Sequence, residues 1–381
     1  MASASTPTLA CESILVGIGL RDVAGIDLQR TRHQRTVLYP VSQFLHNHAP
    51  FAFQRNNGQE TMMLRSVKCI VLSLCAVILF VGVANSKVWF QNSSPTPATV
   101  AAGAVLTVVF ADDRYFEGPS WDPLGNRLFF CAFGKGNEQV LRLDAPGKAT
   151  VMMDHTQGIN GTYFSRDGRL LAAQAFGHNL LSLKMGADGA EDTKVLASGF
   201  EGLPFIQPND VAESPVTGGI YFSDPNFKWK THSAVYYLSR DGIVRRVIDN
   251  LKLPNGLEVS NDGTTLYVSD SFEKRIYSYP IMTDGGIDQS QVKIFFDPAT
   301  ENTADPDGMC SDALGNLYFA MRGGVWVVSK EGRSLGLIPI PEFASNVTFG
   351  GSDGQTLYIT CDKKVYSIAM RVKGAQFLNR R

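Results

Sequence analysis

The stretch "LPNGLEVSNDGTTLYVSDS" occupies residues 253–271. It opens on Pro254-Asn255-Gly256, alternates apolar and polar residues through Leu257 and Val259, turns at Asn261-Asp262-Gly263 and returns as "TLYVSD". Period-two alternation on either side of a turn rich in Gly, Asp and Asn predicts a β-hairpin.

Five other segments follow the same grammar: "FEGPSWDPLGNRLFF" (116–130), "INGTYFSRDGRLLAAQ" (159–174), "PNDVAESPVTGGIYFSD" (208–224), "PDGMCSDALGNLYFAM" (306–321) and "SNVTFGGSDGQTLYIT" (345–360). Their opening polar residues, Glu117, Asn160, Asn209, Asn255, Asp307 and Asn346, lie 39 to 52 residues apart. Each hairpin is followed by room for two more strands, and four strands per unit of this length describe a propeller blade. Residues 104–370 therefore read as an all-β, six-bladed β-propeller with four-stranded blades. The last unit has one further strand, "KVYSIAM", so its fourth is expected from "VLTVVFA" at 105–111, which would pair the two ends of the domain.

In a propeller the innermost strands line a central channel, and residues just before them gather at one mouth. All six such positions here carry oxygen and none is Lys or Arg. Convergent oxygens suit Ca²⁺, which takes six to eight of them in irregular geometry. The simpler reading is that Asn and Asp only make local side-chain turns. The set of six, with carboxylates in units one and five, favours a metal.

The motifs "EGPSWDP", "PNDV...GGIYFSDP", "LPNGLEVSNDGTTLYVSDS" and "PDGMCSDALGNLYFA" resemble those of the gluconolactonase, senescence-marker and luciferin-regenerating family of calcium-dependent propeller hydrolases. The resemblance spans roughly 104–370 and implies a metal held by Glu117, Asn209, Asn255 and Asp307. It implies a Ca²⁺-dependent hydrolase of lactones or related esters, with Asp307 as ligand and general base; Zn²⁺, Mn²⁺ and Mg²⁺ are alternative ions. Sugar-lactone members tend to carry Arg two residues before the Asn of the third motif, where this chain has Gln207. An amide cannot supply the guanidinium fork, which argues against an aldonolactone substrate without touching the metal site. Gln207, Asn160 and His178 are the candidate substrate contacts, with His155 and His232 also in connections. The competing reading is a non-catalytic propeller whose Ca²⁺ is structural, since propellers host both kinds of function. No GxSxG elbow is present, so acyl-enzyme chemistry is not expected.

The 381-residue chain is 44% hydrophobic with a formal net charge of -1, which gives no reason to expect nucleic acid as a partner. Residues 1–61 lack periodicity and read as a disordered tail or a gene-model artefact. In 62–86, Arg65 and Lys68 precede an uncharged apolar run from Cys69 to Ala84, the layout of a secretory signal peptide. If residues 69–84 are retained, they form a signal anchor instead. The expected destination is secreted or lumen-facing, or single-pass and signal-anchored in that second case. Residues 87–103 read as a linker with a glycosylation sequon at Asn92, and 371–381 as a C-terminal tail. Cys131, Cys310 and Cys361 fall in the folded part, where three thiols cannot all pair and read as buried small hydrophobes.

Overall fold

The computed structural model describes residues 95–136, 138–298 and 305–378. The signal or anchor segment and the Asn92 sequon lie outside these. Among the described residues no helix is long and apolar enough to cross a membrane.

Four repeats form four-stranded antiparallel sheets in chain order. The first comprises Tyr115–Asp122, Arg127–Phe133, Gln139–Ala145 and Lys148–Asp154. The second comprises Ile159–Phe164, Leu170–Gln174, Asn179–Met185 and Ala190–Ala197. The third comprises Val211–Glu213, Ile220–Asp224, Ala234–Leu238 and Val244–Ile248, and the fourth Pro254–Val259, Thr265–Asp270, Arg275–Pro280 and Lys293–Phe296. A two-stranded ribbon, Gly199–Phe200 with Leu203–Pro204, separates the second and third.

The expectation of six separate four-stranded blades is corrected. The fifth and sixth repeats share one six-stranded sheet, so five sheets, not six, make up the propeller among the described residues. Ser334–Gly350 is a single strand of 17 residues. Its first half pairs with Leu317–Val328 and its second half with Thr356–Cys361. The physical cause is visible in the chain: Ile338 to Ala344 contains no Gly, Asn or Asp to turn the backbone, so it stays extended and bonds both neighbours. The inner strands still pack against one another in order, from Tyr115–Asp122 through Met309–Ser311 and the shared strand back to the first.

The two ends of the domain meet as the sequence predicted. Thr107–Ala111 pairs antiparallel with Lys364–Ala369, and this pairing buries Val109 and Phe110. The core lies between neighbouring sheets rather than within any one. Phe129, Cys131 and Val140 of the first sheet pack with Leu170, Ala172 and Leu181 of the second, and Tyr221 and Tyr237 of the third with Leu266 and Tyr279 of the fourth. Cys131, Cys310 and Cys361 are all free and buried.

Candidate active site

The six oxygen-bearing residues lie at the entries of the inner strands, Asn346 at the start of the second half of the long shared strand. In four of the six repeats a glycine follows and lets the next residue of the ring come close. At Gly118 an added Cβ would stand 1.9 Å from the Asn160 carbonyl oxygen; at Gly308 it would stand 2.0 Å from the Asn346 side chain. Only glycine permits that approach. Two further junctions are hydrogen-bonded: Gly161 N–H donates to Asn209 O at 2.7 Å, and Leu257 N–H donates to the Asp210 carboxylate. Ser345 Oγ donates to Phe116 O at 2.8 Å, joining the last position to the first. The structure thus brings the six predicted residues into one ring.

Within the ring the Glu117 and Asp307 carboxyls act on each other as like charges. Burial, reinforced by the charge of Asp210, raises Glu117 to about 8, against hydrogen bonds from Gly118 N–H and the Asn346 amide. Burial likewise holds Asp307 well above the usual carboxylate range, with Glu117 and Asp210 adding to it and Asn255 opposing through a hydrogen bond. The phenol of Tyr115 is pushed up by burial and by both carboxyls. Among the described residues, neither Glu117 nor Asp307 is in an ion pair; Arg322 lies 4.0 Å from Asp305, two residues before Asp307.

The remaining ring amides are distinguishable by their partners. The Asn346 oxygen accepts from Val347 N–H at 2.8 Å, so its amide N–H₂ is what reaches Glu117 and Asp210. Asn255 donates to Ser271 Oγ at 3.1 Å, yet its own Oδ1 is buried with no hydrogen-bond partner. A buried acceptor left unpaired is costly. An orphaned amide oxygen beside two clustered carboxyls is a donor set that fits a hard divalent cation. Among the described residues no group of three or more His, Cys, Asp or Glu side chains could hold a metal, so a cation in the ring must draw on amide oxygens.

Sequence reasoning missed three residues here. Asp210 follows Asn209 where four other repeats have Gly, and that departure was the available signal. Burial raises its carboxyl to about 7. Glu258 is raised to about 7 in the same way, opposed by the Ser311 hydroxyl, which donates to it at 2.6 Å. Asp210, Glu258, Asn261, Asn346 and Gln376 line a chamber of about 110 Å³ further along the inner strands. Tyr115, two residues before Glu117, is the third.

A larger cavity of about 500 Å³ lies at the connections of the first three sheets. It brings together two of the three predicted substrate contacts, Gln207 and His178, and adds His155. Asn160 stays in the ring and does not line it. His232 sits in an exposed loop, bonded to Thr231 Oγ1.

Residues 116–363 match the model of the SMP-30/Gluconolactonase/LRE-like region. The chain belongs to this family. It is 27% identical over 303 residues to a gluconolactonase of Zymomonas mobilis, covering 71% of this chain and 82% of that protein. A pentonolactonase of Haloferax volcanii is 28% identical over 259 residues, covering 67% and 84%. A solved gluconolactonase of Xanthomonas campestris superposes with a TM-score of 0.65 at 28% identity, covering 73% of this family member and 94% of the other chain.

Proposed function

We propose that this chain hydrolyses lactones in the ring, with a divalent cation, Ca²⁺ in the first instance, held by Glu117, Asn209, Asn255 and Asp307. The observation that carries the reading is the meeting of two buried, mutually repelling carboxyls with the orphaned Asn255 oxygen. The lactonase relatives support lactones as the substrate class. A divalent cation bound there supplies a positive charge that polarises the lactone carbonyl and offsets the charge developing on its oxygen.

The protein's own residues do the rest. Asp307 accepts a proton from the attacking water. The acyl carbon–ring oxygen bond breaks and the product is the open hydroxy acid. Asn346 holds Glu117 in place through its amide, and Gln207 and His178 present hydrogen-bonding groups beside the ring.

A panel of aldonolactones and aliphatic lactones followed by acid release tests this. Asp307→Ala should abolish turnover, and Asn160→Ala should lose much less. No turnover of any lactone by the intact protein, or equal losses in the two variants, would refute the reading.

A further inference from the structure

The 500 Å³ cavity is within the range of about 300–1,000 Å³ common for small-molecule sites, whereas the chamber of about 110 Å³ is too small for one. Two of its walls are chain neighbours of ring residues. Gln157 lies three residues before Asn160, and Gln207 two before Asn209. Gln157 O accepts from Phe176 N–H and Gly177 N–H at 3.0 and 3.1 Å, which ties two of the walls together. His178 Nδ1 bonds Ile206 O at 3.0 Å, and the buried Asp224 carboxylate accepts from Ile206 N–H and Gln207 N–H at 2.9 and 2.6 Å.

Two features mark these walls as built for a ligand. His155, Gln157 and His178 all hold positive φ, at 50°, 54° and 59°. Non-glycine residues adopt such angles at a cost of order 1 kcal/mol or more each, and they cluster at functional sites. Phe176 is 40% exposed although its ring is fixed. It tilts against Phe133 at 5.2 Å between centroids and lies over Gly158, where a Cβ would come within 2.5 Å of it.

The lining selects among ligands. Two carboxamides, two imidazoles, the Glu138 carboxylate and the Lys135 ammonium surround one aromatic face. An acyl chain filling this space would strand those polar groups without partners. A small anion would leave the Phe176 face wet. A sugar ring meets both demands, laying its C–H face on the aromatic ring and directing its hydroxyls at the amides and imidazoles. Gln207 gives up the guanidinium fork, and hydrogen bonding is spread over the cavity instead.

We propose that this cavity is a second subsite that takes a glycosyl residue attached to the lactone, so that the preferred substrate is a disaccharide aldonolactone. This rests on the lactonase reading above. Hydrolysis breaks the acyl carbon–ring oxygen bond, water supplies the new hydroxyl and proton, and the glycosidic bond stays intact.

The test compares kcat/KM for cellobionolactone and gluconolactone in the intact protein and in Phe176→Leu and Phe176→Ala, each checked by thermal melting. Calorimetric binding of cellobionate, the unreactive product, is measured alongside. The intact protein should prefer the disaccharide by about tenfold or more, mainly in KM. The preference should shrink in Phe176→Leu and vanish in Phe176→Ala, with loss of cellobionate binding. A ratio at or below one, a ratio retained in Phe176→Ala, or better turnover of dihydrocoumarin would overturn the subsite. If neither lactone is turned over but cellobionate binds through Phe176, the subsite stands and the lactonase reading falls. Absence of both turnover and binding overturns both.

Discussion

Replacing Glu117 by Gln should make the metal-free protein more stable and the metal-loaded protein less so. In the fold the Glu117 carboxyl is raised to about 8 by burial, from an ordinary 4.5. A carboxyl raised on folding contributes stability that is intact below about pH 4.5 and is lost as pH climbs to about 8. At pH 7 the loss spans about 2.5 pH units, which at about 1.4 kcal/mol each is roughly 3 to 4 kcal/mol. The carboxamide of the Glu117→Gln variant would avoid that loss but has one oxygen where the carboxylate has two. Of the N–H groups of Gly118 and Asn346 it can satisfy fewer, at about 1 kcal/mol. The net gain of roughly 2 to 3 kcal/mol corresponds to a rise in Tm of about 4 °C or more for a domain of this size. The assay is thermal melting in chelator at pH 4 and pH 8, then with millimolar Ca²⁺. The rise should be present at pH 8 and absent at pH 4. Ca²⁺ at a hundred times its Kd should stabilise the parent by about 2.7 kcal/mol and the variant much less. A variant that melts below the parent in chelator at pH 8 would refute the picture of two unpaired buried carboxyls.

The Asn residues of the ring should separate by role. Asn255→Ala removes the orphaned oxygen and should weaken Ca²⁺ by about tenfold or more in a melting titration; Asn346→Ala should lower stability by about 1–2 kcal/mol, because Glu117 and Asp210 lose a donor, while keeping the Ca²⁺ response. Deleting residues 104–111 removes the strand that joins the two ends and unburies Val109 and Phe110. At about 2 kcal/mol for each side chain, Tm should fall by roughly 8 °C or more, and an unchanged Tm would contradict the closure.

The ring was legible in the sequence because two local signals coincide at most turns of the repeat: an oxygen-bearing residue, and usually a glycine, ahead of an alternating strand. Asn209 and Asn346 were found without the glycine, but the residue that replaces it in the third repeat was not. Asp210 stands in the place of that glycine and was passed over, although its side chain lies among the ring carboxyls. The join of the fifth and sixth repeats was missed for the converse reason. Pro339 and Pro341 look like punctuation, yet both sit within the strand Ser334–Gly350. The side cavity depends on which connections meet in space, and His155, Gln157 and Phe176 carry no common spacing to announce it. Gln207 and His178 were found, but as separate contacts rather than as two walls of one site.

The most direct measurement is lactone turnover during removal and return of the cation. Protein stripped by chelator and then dialysed should release no acid from gluconolactone or cellobionolactone above the uncatalysed rate. Back-titration with Ca²⁺ should restore turnover in parallel with the rise in Tm, and Asp307→Ala should show neither response. Full turnover by the stripped protein, with no change on adding Ca²⁺, would contradict a cation held by Glu117, Asn209, Asn255 and Asp307.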